Sequence, residues 1–237
     1  MLKIRAFRAI DDKSTCLRFM EGHVRVLTDR GITSIATNNS EWKDNASVYC
    51  TIAENEAGEL VGGIRLHLTN GINPLPAEKA VGEQDPKLAA MIYSYSLGTT
   101  GEVCGLWNSR EGAGYGLSIL LIRAIVAIAT QVNIVSMFAL CASHTVYLVK
   151  LMGFRLEESI GDNGVLLYPV INHPSPFVRN PDIINLSLVE EPNLSRILDL
   201  RHRPTQEAIE VITKPVEIHY NLQIPNLKVF EKSPLIN

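Results

Sequence analysis

The stretch "NSREGAGYGLSILLIRAI", Asn108 to Ile125, constrains this chain more than any other. Gly112, Gly114 and Gly116 fall at every second position and lead directly into a long apolar run. Backbone freedom at three such sites demands that something approach the chain closely there, either packing side chains or a ligand. The preceding "GEVCGLWNS" has the β-branched and aromatic content of a strand, and Leu117 to Gln131 the apolar continuity of a buried helix. Strand, glycine turn and helix together make an anion site. The first N–H groups of a helix are unpaired, its dipole favours negative charge, and glycine admits a phosphate to the backbone. A turn of this kind also serves tight strand–helix packing, and both uses stay open at this point. A Walker loop is excluded because no Gly-Lys-Ser/Thr follows, and a dinucleotide fold is disfavoured because the turn comes after four strands.

The rest of the chain reads in the same way. "KIRAFRAI" alternates as a strand, and Asp11-Asp12 can cap a helix running toward Gly31 with Cys16, Leu17, Met20, Val24 and Leu27 on one face. "VYCTIAENEAGELVGGIRLHL" is a hairpin turning at Glu-Ala-Gly. "DPKLAAMIYSYSL" is helical, with Pro86 in its first turn. "NIVSMFALC" is a buried strand, "SHTVYLVKLMG" a short helix stopped by Gly153, and "FRLEES" with "VLLYPV" a second hairpin. The order β-α-β-β-α-β-α-β-α-β-β predicts an α/β (α+β) fold with a mixed central sheet flanked by helices. From Asn172 onward the composition changes: eight of the twelve prolines lie there and none of the sixteen glycines does. We therefore divide the chain into a domain over 1–171 and a packed C-terminal extension over 172–237, with strands expected in "INLSLV" and "PVEIHYNLQI".

With 46% hydrophobic residues the chain is not disordered, and a net charge of −3 gives no general attraction for nucleic acid or an anionic membrane. Cys16, Cys50, Cys104 and Cys141 lie far apart without a CxxC pair, so neither a disulfide framework nor a metal site is expected. The apolar run from Leu117 to Ala142 is broken by Arg123, Gln131 and Asn133 and reads as helix then strand instead of a membrane span. "MLKIRAFRAIDDK" lacks the apolar core of a signal peptide, which makes cytoplasm the default location.

The element order, "GEVCGLWNSREGAGYGLSILLIRAI" and the downstream "ASHTVYLVKLMGFRLEES" resemble the GNAT superfamily of N-acetyltransferases over about residues 3–171. In that superfamily the glycine turn binds the pyrophosphate of an acyl-coenzyme A. The turn Gln/Arg-x-x-Gly-x-Gly/Ala maps onto Glu111-Gly112-Ala113-Gly114-Tyr115-Gly116, and the closing lysine-leucine-glycine-phenylalanine pattern onto Lys150 to Phe154. Glu111 stands where the family usually has a cation or amide, which leaves Arg110 as the nearby cation. Val149 stands where many members carry the tyrosine that protonates the leaving thiolate. "YCTIAENEAGELVGGIRLHLTNGINPLP" with "GEVCGLWNS" further resembles the acyl-homoserine-lactone synthases and N-acyl amino acid synthases, with Glu102 matching their acidic residue and Arg65 to Thr69 approximating a strand end.

The resemblance implies an N-acyltransferase with acetyl-CoA or a longer acyl-CoA as donor and the amine of a small molecule or amino acid as acceptor. An acyl carrier protein is the alternative donor. Glu102 is the candidate base; His144 and Tyr147 are candidates for the thiolate's proton donor. Leu106, Trp107 and Asn108 would pair with the pantetheine arm, and Arg110, Gly112, Ala113, Gly114, Tyr115 and Gly116 would hold the pyrophosphate. Each has a plainer reading: strand-end carboxylate for Glu102, core for Trp107, helix cap for Ser143 or His144, core or acyl-pocket lining for Tyr93 and Tyr95. Arg65 would either hold a substrate carboxylate or pair with Glu54 or Glu59. Competing functions are a silent acyl-CoA or acyl-chain binding module, and a structural protein whose extension forms a homodimer arm. An apolar groove is expected between the strand ending at Asn108 and the strand ending at Cys141.

Overall fold

The β-branched and aromatic runs seen in the sequence assemble into one ten-stranded mixed sheet in the computed structural model. It describes residues 1–29, 31, 40–69, 73–96, 99–168, 173–225 and 227. The strands are β1 (Leu2–Arg8), β2 (Val48–Asn55), β3 (Leu60–Leu68), β4 (Thr100–Asn108), β5 (Ser136–Leu140), β6 (Arg155–Leu156), β7 (Val165–Tyr168), β8 (His173–Asn180), β9 (Thr205–Val211) and β10 (Pro215–Asn221). The helices are α1 (Lys13–Asp29), α2 (Pro76–Val81), α3 (Pro86–Ser96), α4 (Arg110–Ala113), α5 (Leu117–Ala127), α6 (Val146–Lys150) and α7 (Asn193–His202). The strand order is β6-β8-β5-β4-β3-β2-β1-β10-β9, with β7 branching from β8. Among the described residues only β4–β5 and β1–β10 pair in parallel. This is the mixed, helix-flanked sheet the element order predicts.

Helix α5 carries the main core. Leu117, Leu120, Leu121, Ala124 and Ile125 are completely buried, which is what a helix apolar on nearly every side requires. It packs against β1 to β4 on one face of the sheet, with α7 on its outer side. Helix α1 covers the other face, against β3 and β4. Asp12 caps it, its carboxylate accepting the Thr15 N–H at 3.1 Å. The buried stripe is Thr15, Cys16, Phe19, Gly22 and His23, whereas Leu17 is 46% exposed, which corrects the predicted face. The physical reason lies at Gly22: a Cβ built there would be 2.3 Å from the Trp107 indole, so the helix turns its glycine inward to seat that ring.

Three further departures occur. "FRLEES" and "VLLYPV" do not form a hairpin; β6 and β7 each pair with β8 instead. β8 was not anticipated, because Pro174 and Pro176 argue against a strand. At alternate positions both prolines withhold their N–H from one edge only, and the register with β5 begins at Phe177. "INLSLV" is a series of turns, while "PVEIHYNLQI" does supply β10. β10 runs parallel beside β1, and Glu210 of β9 bonds Arg123 of α5, Arg196 and the Tyr220 hydroxyl in a buried network.

Candidate functional site

Two strands that start parallel and then part create the site. β4 and β5 are in register only over Thr100–Glu102 with Ser136–Phe138. Beyond that, β4 bends at Gly105, where φ is +61° and the β3–β4 register slips. A groove of about 460 Å³ opens between the two strands, predominantly apolar and floored by Val103, Leu106, Ile122 and Leu148. It lies where the sequence reading placed it.

Glu102 sits at the apex of the split, 2% exposed. Its Oε2 accepts the Ala77 N–H of α2 at 2.8 Å. Burial pushes its carboxyl up to about 8, against the opposing pull of that hydrogen bond and of Arg65. A buried carboxyl titrating near neutrality is suited to proton transfer. Leu106, Trp107 and Asn108 line the groove, but the Trp107 side chain is 3% exposed and belongs to the core against Phe19, ring centroids 5.8 Å apart. His144 and Tyr147 stand on the exposed rim, Tyr147 being 64% exposed, and Val149 is buried in the wall. Ser143 does not cap; its hydroxyl donates to the Pro174 carbonyl at 3.1 Å. The thiols of Cys104 and Cys141 are both pushed up to about 12 by burial, so neither is a nucleophile near neutral pH.

The three glycines separate by role. At Gly112 a Cβ would meet Leu117 Cδ2 at 2.5 Å and the Val61 carbonyl at 3.0 Å, and at Gly116, φ +71°, Ile212 Cγ2 at 2.4 Å. Those two glycines serve packing. At Gly114 nothing comes nearer than 3.4 Å, and the next neighbour is Lys214 Nζ at 3.6 Å. The turn is thus open to a ligand at Gly114. Ser109 caps α4 by accepting the Gly112 N–H at 3.2 Å. Arg110 borders a separate depression together with Arg18, Arg25 and Glu111, outside the groove. Ala113 is exposed, and the half-buried Tyr115 lies under the Lys214 ammonium, 4.2 Å from the ring centroid.

Tyr168 and His67 near the site were not singled out as functional in the sequence, whereas Arg65 was. Tyr168 lines the groove, and burial raises its phenol. His67 lies directly opposite Glu102 across β3–β4, and Arg65 opposite Cys104. The period-two spacing of "RLH" puts these two on Glu102's face, but only the register reveals the pairing. Arg65 does not pair with Glu54 or Glu59; Glu54 is taken by Arg5 and Arg18. Tyr93 is 70% exposed and Tyr95 lies under Arg179 at 4.1 Å, and neither lines the groove. Among the described residues no three His, Cys, Asp or Glu side chains are arranged to hold a metal, and no helix is long and apolar enough to cross a membrane.

No protein-family model and no curated protein sequence matches the chain. Solved structures do. FeeM, an N-acyl amino acid synthase from uncultured soil microbes, superposes with a TM-score of 0.59 at 15% identity, over 80% of this chain and 95% of FeeM. BjaI, a CoA-dependent acyl-homoserine lactone synthase, gives 0.57 at 16% identity over 96% of each chain. An acyl-CoA N-acyltransferase from Pseudomonas aeruginosa gives 0.53 at 14% identity, over 76% of this chain and 99% of the other. At such identities the likeness is one of fold. The mixed, helix-flanked sheet agrees with that likeness: the chain has a GNAT-like fold.

Proposed function

We propose that this protein is an acyl-CoA-dependent N-acyltransferase acting on the amine of a small molecule or amino acid. The observation that carries the reading is the buried Glu102 at the apex of an apolar groove between two diverging strands. The groove would take the acyl-pantetheine arm alongside Leu106 to Asn108. The turn at Gly114 would take the pyrophosphate, because a phosphate can approach the backbone there. Lys214, contributed by the β9–β10 turn, would supply the cation that Glu111 does not.

In the reaction the acceptor nitrogen attacks the thioester carbonyl, forming the C–N bond as the C–S bond breaks. The nitrogen loses a proton to the Glu102 carboxylate, directly or through water, and the departing thiolate takes one from the rim, where Tyr147 and His144 stand. Val149 cannot donate a proton, and that favours a second reading: an acyl-CoA or acyl-chain binding module without turnover. The finer acyl-lactone or acyl amino acid synthase reading, with a carrier protein as donor, shares the same groove.

Thermal melting with acetyl-, octanoyl- and palmitoyl-CoA, each against free CoA, tests donor binding, because a ligand that binds only the folded chain raises its melting temperature. Release of free thiol on adding a panel of amines tests turnover. Stabilisation with thiol release supports the transferase, stabilisation without release the binding module, and absence of any shift removes the CoA reading.

A further inference from the structure

Each turnover would leave a proton on Glu102 and remove one from the rim, so the site needs a path that carries the first back to the second. Glu102, 2% exposed, has almost no contact with bulk water of its own. Tyr168, at the end of β7, lines the same groove. Glu102 is the cross-strand partner of Phe138, and Phe138, Phe177 and Leu166 form one cluster with Ala77 and Val81 of α2, against which Tyr168 packs. Tyr168 therefore stands on Glu102's face of the sheet, beside the helix whose Ala77 N–H holds the Glu102 carboxyl. On its other side Tyr168 is the register partner of His173 on β8. The next carbonyl, that of Pro174, accepts the Ser143 hydroxyl at 3.1 Å, and His144 follows Ser143 on the rim. Tyr168 thus lies between the apex of the groove and its rim.

A tyrosine buried for structural reasons ordinarily gives its hydroxyl a hydrogen-bond partner. The half-buried Tyr168 has none among the described residues, and its hydroxyl is not sealed off from the groove. The other polar groups of the groove fit the path less well. Ser175 spends its hydroxyl on the His173 carbonyl at 3.3 Å. His23 is pushed down to about 4 by burial, so it cannot hold a proton near neutral pH. Burial, with Glu102 and Cys104 nearby, raises the Tyr168 phenol, which stays protonated through neutral pH. A neutral phenol passes a proton by accepting one on its oxygen as it releases its own, and it carries no charge at either end of the step.

We propose that Tyr168 is the proton relay between Glu102 and the rim. The Glu102 O–H bond breaks as one forms at the phenol oxygen, directly or through one water. The phenol's own O–H bond breaks as its proton bonds to the His144 imidazole, which has given its proton to the thiolate. The proton that left nitrogen is thereby balanced by the one that ends on sulfur, and Glu102, Tyr168 and His144 each return to their starting state. The use of the path rests on the transferase reading; the coupling of Tyr168 to Glu102 does not.

Carbon-13 NMR of the full chain labelled at tyrosine Cζ reads that coupling without any substrate. The Tyr168 signal is the one lost in Tyr168→Phe. We expect it to shift in a step centred at about pH 8, where Glu102 titrates, and the step to vanish in Glu102→Gln. Should Phe disturb folding, the signal is identified as the one whose step Glu102→Gln removes. A Tyr168 signal without a step, or with a step that survives Glu102→Gln, overturns the inference. Turnover tests the use of the path. Tyr168→Phe keeps the ring that packs on α2 and removes only the hydroxyl. Thiol release from octanoyl-CoA with the panel of amines should fall about 10²-fold, the lower end for proton transfer by a positioned side chain, while the melting shift with octanoyl-CoA stays unchanged. Turnover equal to the wild type defeats the relay and leaves the transferase standing. A wild type that releases no thiol with any amine defeats the transferase and the relay together, which sets it apart from failure of the relay alone.

Discussion

Glu102 is held protonated by its surroundings up to about pH 8, and two consequences follow from that one carboxyl. As a base it works only when ionised, so transfer should rise with pH toward 8 and level off above it. Glu102→Gln should lower turnover about 10²- to 10⁴-fold and remove that rise, read from a pH–rate profile. Its contribution to stability has the opposite dependence. The folded chain binds this proton more tightly than the unfolded one, so the contribution is complete below the ordinary carboxylate range and declines as pH climbs to about 8. His67 works the other way. Its imidazole is held neutral, so stability should be lost as pH falls below the ordinary histidine range, and His67→Asn should flatten that limb of a melting-temperature-versus-pH curve. Neither behaviour is readable from the residue type. "GEVCG" and "RLHL" name a carboxylate, an arginine and a histidine more than thirty residues apart, and only strand register makes them neighbours.

At the level of elements, the glycine turn was visible in the sequence but its division of labour was not. Gly116→Ala places a Cβ against Ile212 at φ +71° and should cost about 1–3 kcal/mol in chemical denaturation. Gly114→Ala meets only ordinary contacts, with φ −62°, and should leave stability within about 0.5 kcal/mol. If a phosphate approaches there, the same substitution lowers acyl-CoA affinity, and Gly114→Trp abolishes it. Lys214→Gln should weaken acyl-CoA binding by a factor of about 2–5, more at low than at high salt, as befits an exposed cation near a phosphate. The strand–turn–helix unit could be recognised because its signals are local. The cation beside it could not, since Lys214 lies about a hundred residues downstream and reaches the turn only through the hairpin that also bonds Thr213 to the Gly114 carbonyl at 2.6 Å.

For the whole molecule, the segment after residue 171 is bound into the sheet at two places. β8 lies between β5 and β6, and β10 lies beside β1. A chain ending at residue 171 would expose the β5 edge and strip α5 of the cover that α7 provides, and it should be insoluble or molten by circular dichroism and proteolysis. Glu210→Ala should destabilise the full chain by about 3–5 kcal/mol, because Arg123 and Arg196 lose a buried shared counter-ion. The sequence by itself determined the α/β class, the strand that leads into the glycine turn, and Glu102 as a candidate base on that strand. Each of these depends on periodicity, turn chemistry or a short motif, interactions between residues close along the chain. Tertiary structure alone decided that a proline-bearing segment becomes a strand between β5 and β6, that Ile212 and Lys214 meet the glycine turn, and that Arg65 is buried without an ion-pair partner on the strand beside Glu102. Those outcomes depend on which strands pair and in what register, and pairing is settled by the burial of the whole sheet, not by any one segment's own preference.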